Sequence, residues 1–436
     1  MKPIQVGIAG VGVVGAGVFQ VLRRNREEIT RRAGREIRVV QVAARNRERL
    51  RTLVGEGVTI VDDPLAIARS PQVDIVCELI GGTMLAKELV LEAIARGKHV
   101  VTANKALLAL HGNEIFAAAS RKGVMVAFEA AVAGGIPIIK ALREGLTANR
   151  IEWLAGIING TSNFVLSEMR DKGLGFEAAL RQAQQLGYAE ADPTFDIEGI
   201  DAAHKLAILA AIAFGVPVQF DKAYTEGISK LAKQDILYAE QLGYRIKLIG
   251  MAKRTAQGIE LRVHPTLVPE RRVIANINGA MNAVLVKGDA VGQTLYSGAG
   301  AGSEPTASAV IADLVDVTRL QTADPDHRVP HLAFQADALA DTPILPIDEV
   351  VTSYYLRLRV ADEPGVLASL TRILADARIS IDAVLQKEAG ESEQQTDLIV
   401  LTHQTIERNM NAALAQMQRL DTVLAPIVRI RLEELS

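Results

Sequence analysis

Apolar and polar positions follow two rhythms along this 436-residue chain. In its first part, short apolar runs (Ile4 to Ala9, Ile37 to Ala44, Val73 to Leu79, His99 to Thr102, Val124 to Phe128) read as strands buried on both faces. Between them, Val13 to Glu28, Asp63 to Arg69, Ala86 to Arg96 and Gly112 to Lys122 show helical spacing. Strand and helix in alternation predict an α/β fold, a Rossmann-like doubly wound parallel sheet. From about Gly135 longer helices are expected over Asn163 to Asp171, Phe176 to Leu186 and Gly199 to Gly215, with strands such as Ile259 to His264 and Asn282 to Val286. This predicts a mixed α/β domain. Ser297 to Gly302 is turn-rich and precedes a helix over Thr306 to Arg319, and Gln321 to Pro346, rich in Pro, Asp and Ala, reads as a linker. Beyond it, Leu356, Leu358 and Val360 alternate with Arg357 and Arg359, and the segments to Leu432 complete the order βαββαβ.

Hydrophobic residues make up 49% and charged ones 23%, which excludes wholesale disorder. Lys and Arg number 48 against 51 Asp and Glu, and no long basic run occurs, so nucleic acid and membranes are not expected as partners. The lone Cys77 excludes an internal disulfide and suits a reducing cytoplasm. Leu206 to Val218, the longest apolar stretch, is too short to span a bilayer and is broken by Gly215 and Pro217. The amino terminus has no apolar segment behind a basic start, so a cytoplasmic location is expected.

Gly10-Val11-Gly12-Val13-Val14-Gly15 follows a strand and opens a helix, the context of a dinucleotide fingerprint. Gly10 makes the tight turn, Gly12 lets backbone approach the pyrophosphate, and Gly15 permits close helix–strand packing. Val13 and Val14 bring the first free N–H groups of the helix to the phosphates. The second strand ends in Ala43-Ala44-Arg45, where a carboxylate would favour NAD. Arg45 there predicts a preference for NADP over NAD, against the rival reading of a solvated edge. Lys105 ends Val100 to Lys105 at the expected cofactor crevice. Asp201 and Lys205 lie four residues apart on an apolar helix; buried together they suit catalysis better than a surface ion pair does. The turn from Glu129 to Pro137 could offer backbone oxygens to a hard monovalent cation, although a domain junction also needs glycines.

At Gly97 to Lys105, Gly187 to Lys205 and Gly300 to Val310 the chain resembles homoserine dehydrogenase in its longer form with a C-terminal ACT domain. The resemblance implies reversible reduction of L-aspartate 4-semialdehyde to L-homoserine, on the route to threonine, methionine and isoleucine. It implies that Lys205 exchanges the proton, that Glu190 and Asp201 hold homoserine, and that Lys105 stands beside cofactor and substrate. Gly187 and Gly302 would touch the cofactor, and Glu129, Val132, Gly134 and Ile136 would hold sodium, mainly through backbone oxygens. The ACT resemblance places an amino-acid effector, threonine by analogy, at the turn containing Asp362, Gly365 and Val366. The layout expected is a nucleotide-binding domain over 1–130 plus about 303–330, a catalytic and dimerisation domain over 131–302, a linker over 331–349 and the ACT domain over 350–433. A homodimer or tetramer is expected. Two rival readings remain: a non-enzymatic sensor of redox cofactor and amino acid, and another Rossmann amino-acid dehydrogenase.

Overall fold

A computed structural model describes residues 2–43, 50, 53–55, 57–386 and 394–436. These form two compact units. The first comprises Met1–Gly160, Asp201–Ala223 and Met281–Thr342; the second comprises Thr161–Ile200, Tyr224–Ala280 and Pro343–Ser436.

The first unit carries the parallel sheet predicted from the apolar runs. Its strands are β1 (Ile4–Ala9), β2 (Ile37–Ala43), β3 (Thr59–Val61), β4 (Ile75–Glu78), β5 (His99–Thr102) and β6 (Val126–Ala127). Their order is β3-β2-β1-β4-β5-β6, so the winding reverses between β1 and β4, and ligands of such sheets bind beyond the strand ends at that reversal. The core joins Ile8, Val18 and Phe19 to Ala307, Val310 and Leu314 of the helix Ser303–Leu320. Thus a helix from late in the sequence completes the early sheet. Gly17 explains how closely: a Cβ there would stand 2.5 Å from the Ser303 backbone oxygen. The same unit holds an antiparallel trio, Ile151–Ile157, Met281–Gly288 and Gly292–Ala299.

Several boundaries differ from expectation. The helix expected over Val13 to Glu28 breaks at Asn25 into Val13–Arg24 and Arg26–Ala33. The one expected from Gly112 starts at Lys105, so Lys105 is a first helical residue and not a strand end. Residues 297–299 continue a strand before the turn, and the late helix begins at Ser303. The stretch read as a linker is partly anchored: the His331 ring accepts the Val126 N–H at 3.1 Å and stacks on Phe116, and the Gly215 oxygen accepts the Ala340 N–H. Proline and alanine composition alone hid those contacts.

In the second unit the hairpin Tyr244–Arg254 and Ile259–Pro269 is joined in parallel by Val428–Leu432, pairing Thr266 with Arg431. That strand continues into Val351–Ala361, Gln395–Thr402 and Ile381–Gln386, all antiparallel. With helices Val366–Asp376 and Glu407–Met417 they make the βαββαβ unit around Leu356, Leu358, Leu370, Val400 and Met410. Its seam to the hairpin is polar and buried. Arg431, 1% exposed, forks onto Glu407 at 2.6 and 2.9 Å and reaches Glu226 at 2.8 Å. Among the described residues, no helix is long and apolar enough to cross a membrane.

Candidate active site

Strand ends of the parallel sheet prepare the position of Lys105. Glu78, fully buried at the end of β4, accepts the Thr102 hydroxyl at 2.7 Å and the Ile80 N–H at 3.0 Å. Burial pushes its carboxyl up, against those hydrogen bonds. Thr102 in turn accepts the Asn104 N–H, and Asn104 donates to the Gly82 carbonyl oxygen at 2.7 Å. The Asn104 side chain caps the next helix by accepting the Leu107 N–H at 3.0 Å. Lys105 therefore opens that helix at its positive end, where a cation is disfavoured without a counter-charge.

The counter-charge is Asp201. It lies in Ile200–Phe214, a helix buried on every side from Asp201 onward, as its unbroken apolar run requires. Asp201 Oδ1 lies 2.8 Å from Lys105 Nζ, while Oδ2 accepts Lys205 Nζ at 2.7 Å and Asn159 Nδ2 at 2.8 Å. Lys205 also donates to the Ile158 carbonyl oxygen at 2.7 Å. Asp201 is 3% and Lys205 8% exposed, so this is a buried pair and not a surface one. Burial alone would raise the Asp201 carboxyl; the Lys205 and Lys105 ammonium groups overcome it and hold the group well below the usual carboxylate range. His204 points elsewhere, edge-on to Phe220 at 4.2 Å, and burial depresses it to about 4, leaving a neutral ring.

The first unit also carries the glycine turn. Gly10 has φ +95°, donates to the Ala43 carbonyl oxygen, and has the Leu79 backbone oxygen 2.4 Å from where a Cβ would stand. A Cβ on Gly15 would strike the Gly10 carbonyl oxygen at 2.3 Å, whereas one on Gly12 would meet nothing. Open space lies over Gly12, at the start of Val13–Arg24, and Val13 is exposed there with Val14 beside it. A pyrophosphate fits this cradle of free backbone N–H groups. The Ser303 hydroxyl donates to the Val13 carbonyl oxygen at 2.8 Å and Gly302, φ +125°, caps Ser303–Leu320, which brings Gly302 beside the turn. Arg45 lies outside the described residues.

Glu129 opens the second glycine turn. Its carboxylate accepts N–H groups from Ile139 and Lys140 at 2.8 and 2.9 Å, and its own N–H donates to Asp313. Val132 and Ile136 are buried, and Ala133 and Gly134 both take left-handed backbone. Gly134 presses on 300–301: a Cβ would meet the Gly300 oxygen at 2.5 Å. Among the described residues, no three His, Cys, Asp or Glu side chains converge as a metal centre.

Gly187 and Glu190 belong to the second unit, where both are exposed; Gly187 has φ +76° and the Glu190 carbonyl oxygen accepts Gln184 Nε2. In the βαββαβ unit, Gly365, φ +96°, caps the helix starting at Val366, and Asp362 stands at the end of the first strand with Gln386 Nε2 3.5 Å from its carboxylate. Sequence reasoning missed Asn159 and Gly17. Gly17 could have been noticed in Gly15-Ala16-Gly17; nothing local marks Asn159. A cavity of about 440 Å³ lined by Phe116, Met125, His331 and Phe334 in the first unit includes neither lysine nor Asp201.

Comparison with known proteins gives three family matches: homoserine dehydrogenase, NAD binding domain, over 10–129; homoserine dehydrogenase over 137–315; and ACT domain over 354–422. Homoserine dehydrogenase of Pseudomonas aeruginosa is 63% identical over the full length of both chains. A crystal structure of a homoserine dehydrogenase from Thiobacillus denitrificans is similar at 70% identity and TM-score 0.96, covering 100% of this chain and 99% of that one. A hyperthermophilic archaeal homoserine dehydrogenase in complex with NADPH shares the fold, with TM-score 0.63 and 23% identity over 74% of this chain and 99% of that one.

Proposed function

The chain belongs to the homoserine dehydrogenases, NAD(P)-dependent oxidoreductases, and carries an ACT domain, and from that premise we propose how its residues divide the reaction. The substrate pair is L-aspartate 4-semialdehyde and L-homoserine. The observation that supports the assignment best is the buried Asp201 carboxylate shared by Lys105 and Lys205. A bound NAD(P)H supplies hydride to the aldehyde carbon. Negative charge then develops on the carbonyl oxygen, and protonated Lys205 neutralises it and delivers the proton. Lys105 stands beside the same centre and orients substrate and cofactor. Glu190 and Asp201 take the substrate ammonium group. In the reverse direction a neutral Lys205 must accept the proton from homoserine, so oxidation improves as pH rises.

NADP is the preferred cofactor and NAD the second. It is held by Gly10, Gly12, Val13, Val14, Gly15, Gly187, Gly302 and Lys105, with Arg45 on the 2′-phosphate. The NADPH complex of the archaeal relative supports this choice, and equal kcat/KM with NADH and NADPH would overturn it. Sodium at backbone oxygens of Glu129, Val132, Gly134 and Ile136 ties the glycine turn. Threonine is the proposed effector at Asp362, Gly365 and Val366, the assembly a homodimer or tetramer, and the location the cytoplasm.

The deciding assay follows NADPH oxidation with aspartate semialdehyde. Lys205→Ala is expected to abolish turnover while NADPH affinity, read by fluorescence titration, stays within a few-fold of wild type. Wild-type kcat in that variant would remove Lys205 from the role.

A further inference from the structure

We infer that Asn159 is a positioning residue for the reaction, fixing the Asp201 carboxylate so that its two oxygens are divided between two lysines. This rests on the proposed role of Lys205. Asn159, 4% exposed, sits two residues beyond Ile151–Ile157 and directly before Gly160–Asp171, so strand end and helix start hold its backbone on both sides. Its neighbour Ile158 accepts Lys205 Nζ through the backbone, and its own amide donates to the Asp201 oxygen that Lys205 uses. Two successive residues thereby hold both members of the pair.

The division has a chemical consequence. A carboxylate oxygen shared with an amide N–H has less electron density for the ammonium beside it, so Lys205 is bound firmly enough to be oriented yet can still give up its proton. The other charged group on Asp201 is Lys105, from the helix Lys105–Lys122, and the titratable neighbour on the same helix, His204, is neutral. Asn159 is thus the uncharged donor among cations around Asp201. Replacing its amide by a carboxylate puts a second anion beside Lys205 and favours the ammonium form.

The test is the pH profile of kcat for homoserine oxidation in the full-length enzyme. Asn159→Asp is expected to move the alkaline rise up by about 1 pH unit, with about tenfold lower kcat at neutral pH, and Asn159→Ala to move it less, in the same direction. NADPH affinity should change less than about threefold in both. A profile unmoved in both variants, whether kcat is intact or reduced equally at every pH, overturns the inference. If Asn159→Asp does not fold, Asn159→Ala and Asn159→Ser decide by the same criterion. Lys205→Ala run in parallel separates the two ideas. If it is inactive while Asn159 variants keep the wild-type profile, only the role of Asn159 fails; if it is active, the role of Lys205 fails first.

Discussion

At Asp201 three donors meet on two oxygens, and that single side chain sets the charge of the site. Asp201→Asn leaves two lysines without their shared anion in a buried helix. It is expected to lower kcat by about 10²-fold or more, on the scale of losing one positioned charge partner, with the pH profile shifted to lower pH for homoserine oxidation. Steady-state rates across pH check both. His99 and His331 show the opposite use of a titratable group. Each ring accepts a backbone N–H, from Met125 and Val126, and burial first, then Arg neighbours, hold both at about 4. Folded-state values below the unfolded value of about 6.5 mean that unfolding takes up protons between pH 4 and 6.5. Their stabilisation is therefore complete above about 6.5 and lost as pH falls through 4. Urea midpoints should drop over that window, and less steeply in His331→Phe.

Elements show where local sequence was enough. The turn at Gly10 to Gly15 is written in adjacent residues, and so is the i, i+4 spacing of Asp201 and Lys205. The start of Lys105–Lys122 was misplaced because its cap, Asn104, is set by Gly82 and, through Thr102, by Glu78 on a neighbouring strand. Helix-on-helix contact at Gly17 is a tight packing constraint in the first unit, since a Cβ there would stand 2.5 Å from the Ser303 backbone oxygen. Gly17→Val should destabilise it by about 1–3 kcal/mol, as overpacking against rigid backbone does, and lower the melting temperature seen by calorimetry. An unchanged transition would mean Ser303–Leu320 can shift outward. In the second unit Arg431→Met leaves Glu407, 1% exposed, without its forked partner. A loss of about 1–3 kcal/mol is expected in denaturant unfolding, because the carboxylate keeps its desolvation cost while Arg429, 2.8 Å away, still offsets part of it.

At the scale of the whole molecule, the ACT sheet is continuous with the hairpin Tyr244–Arg254 and Ile259–Pro269, so effector binding has a rigid element to act on. Titration calorimetry with threonine is expected to show heat and a matching fall in activity; neither would leave the ACT unit a structural one. Family, parallel sheet and ACT order were legible because each depends on short-range patterns: period-two strands, helical stripes, a glycine turn, and motifs kept in sequence. The sequence alone also determined the Asp201–Lys205 pairing, since helical geometry brings residues four apart onto one face. Only the tertiary structure decided that Lys105 and Asn159 complete that pair, that Ser303–Leu320 closes the first core, and that the presumed linker docks through His331. These contacts join residues tens to hundreds of positions apart, and no local preference encodes which distant partner a buried charge or a bare backbone will meet.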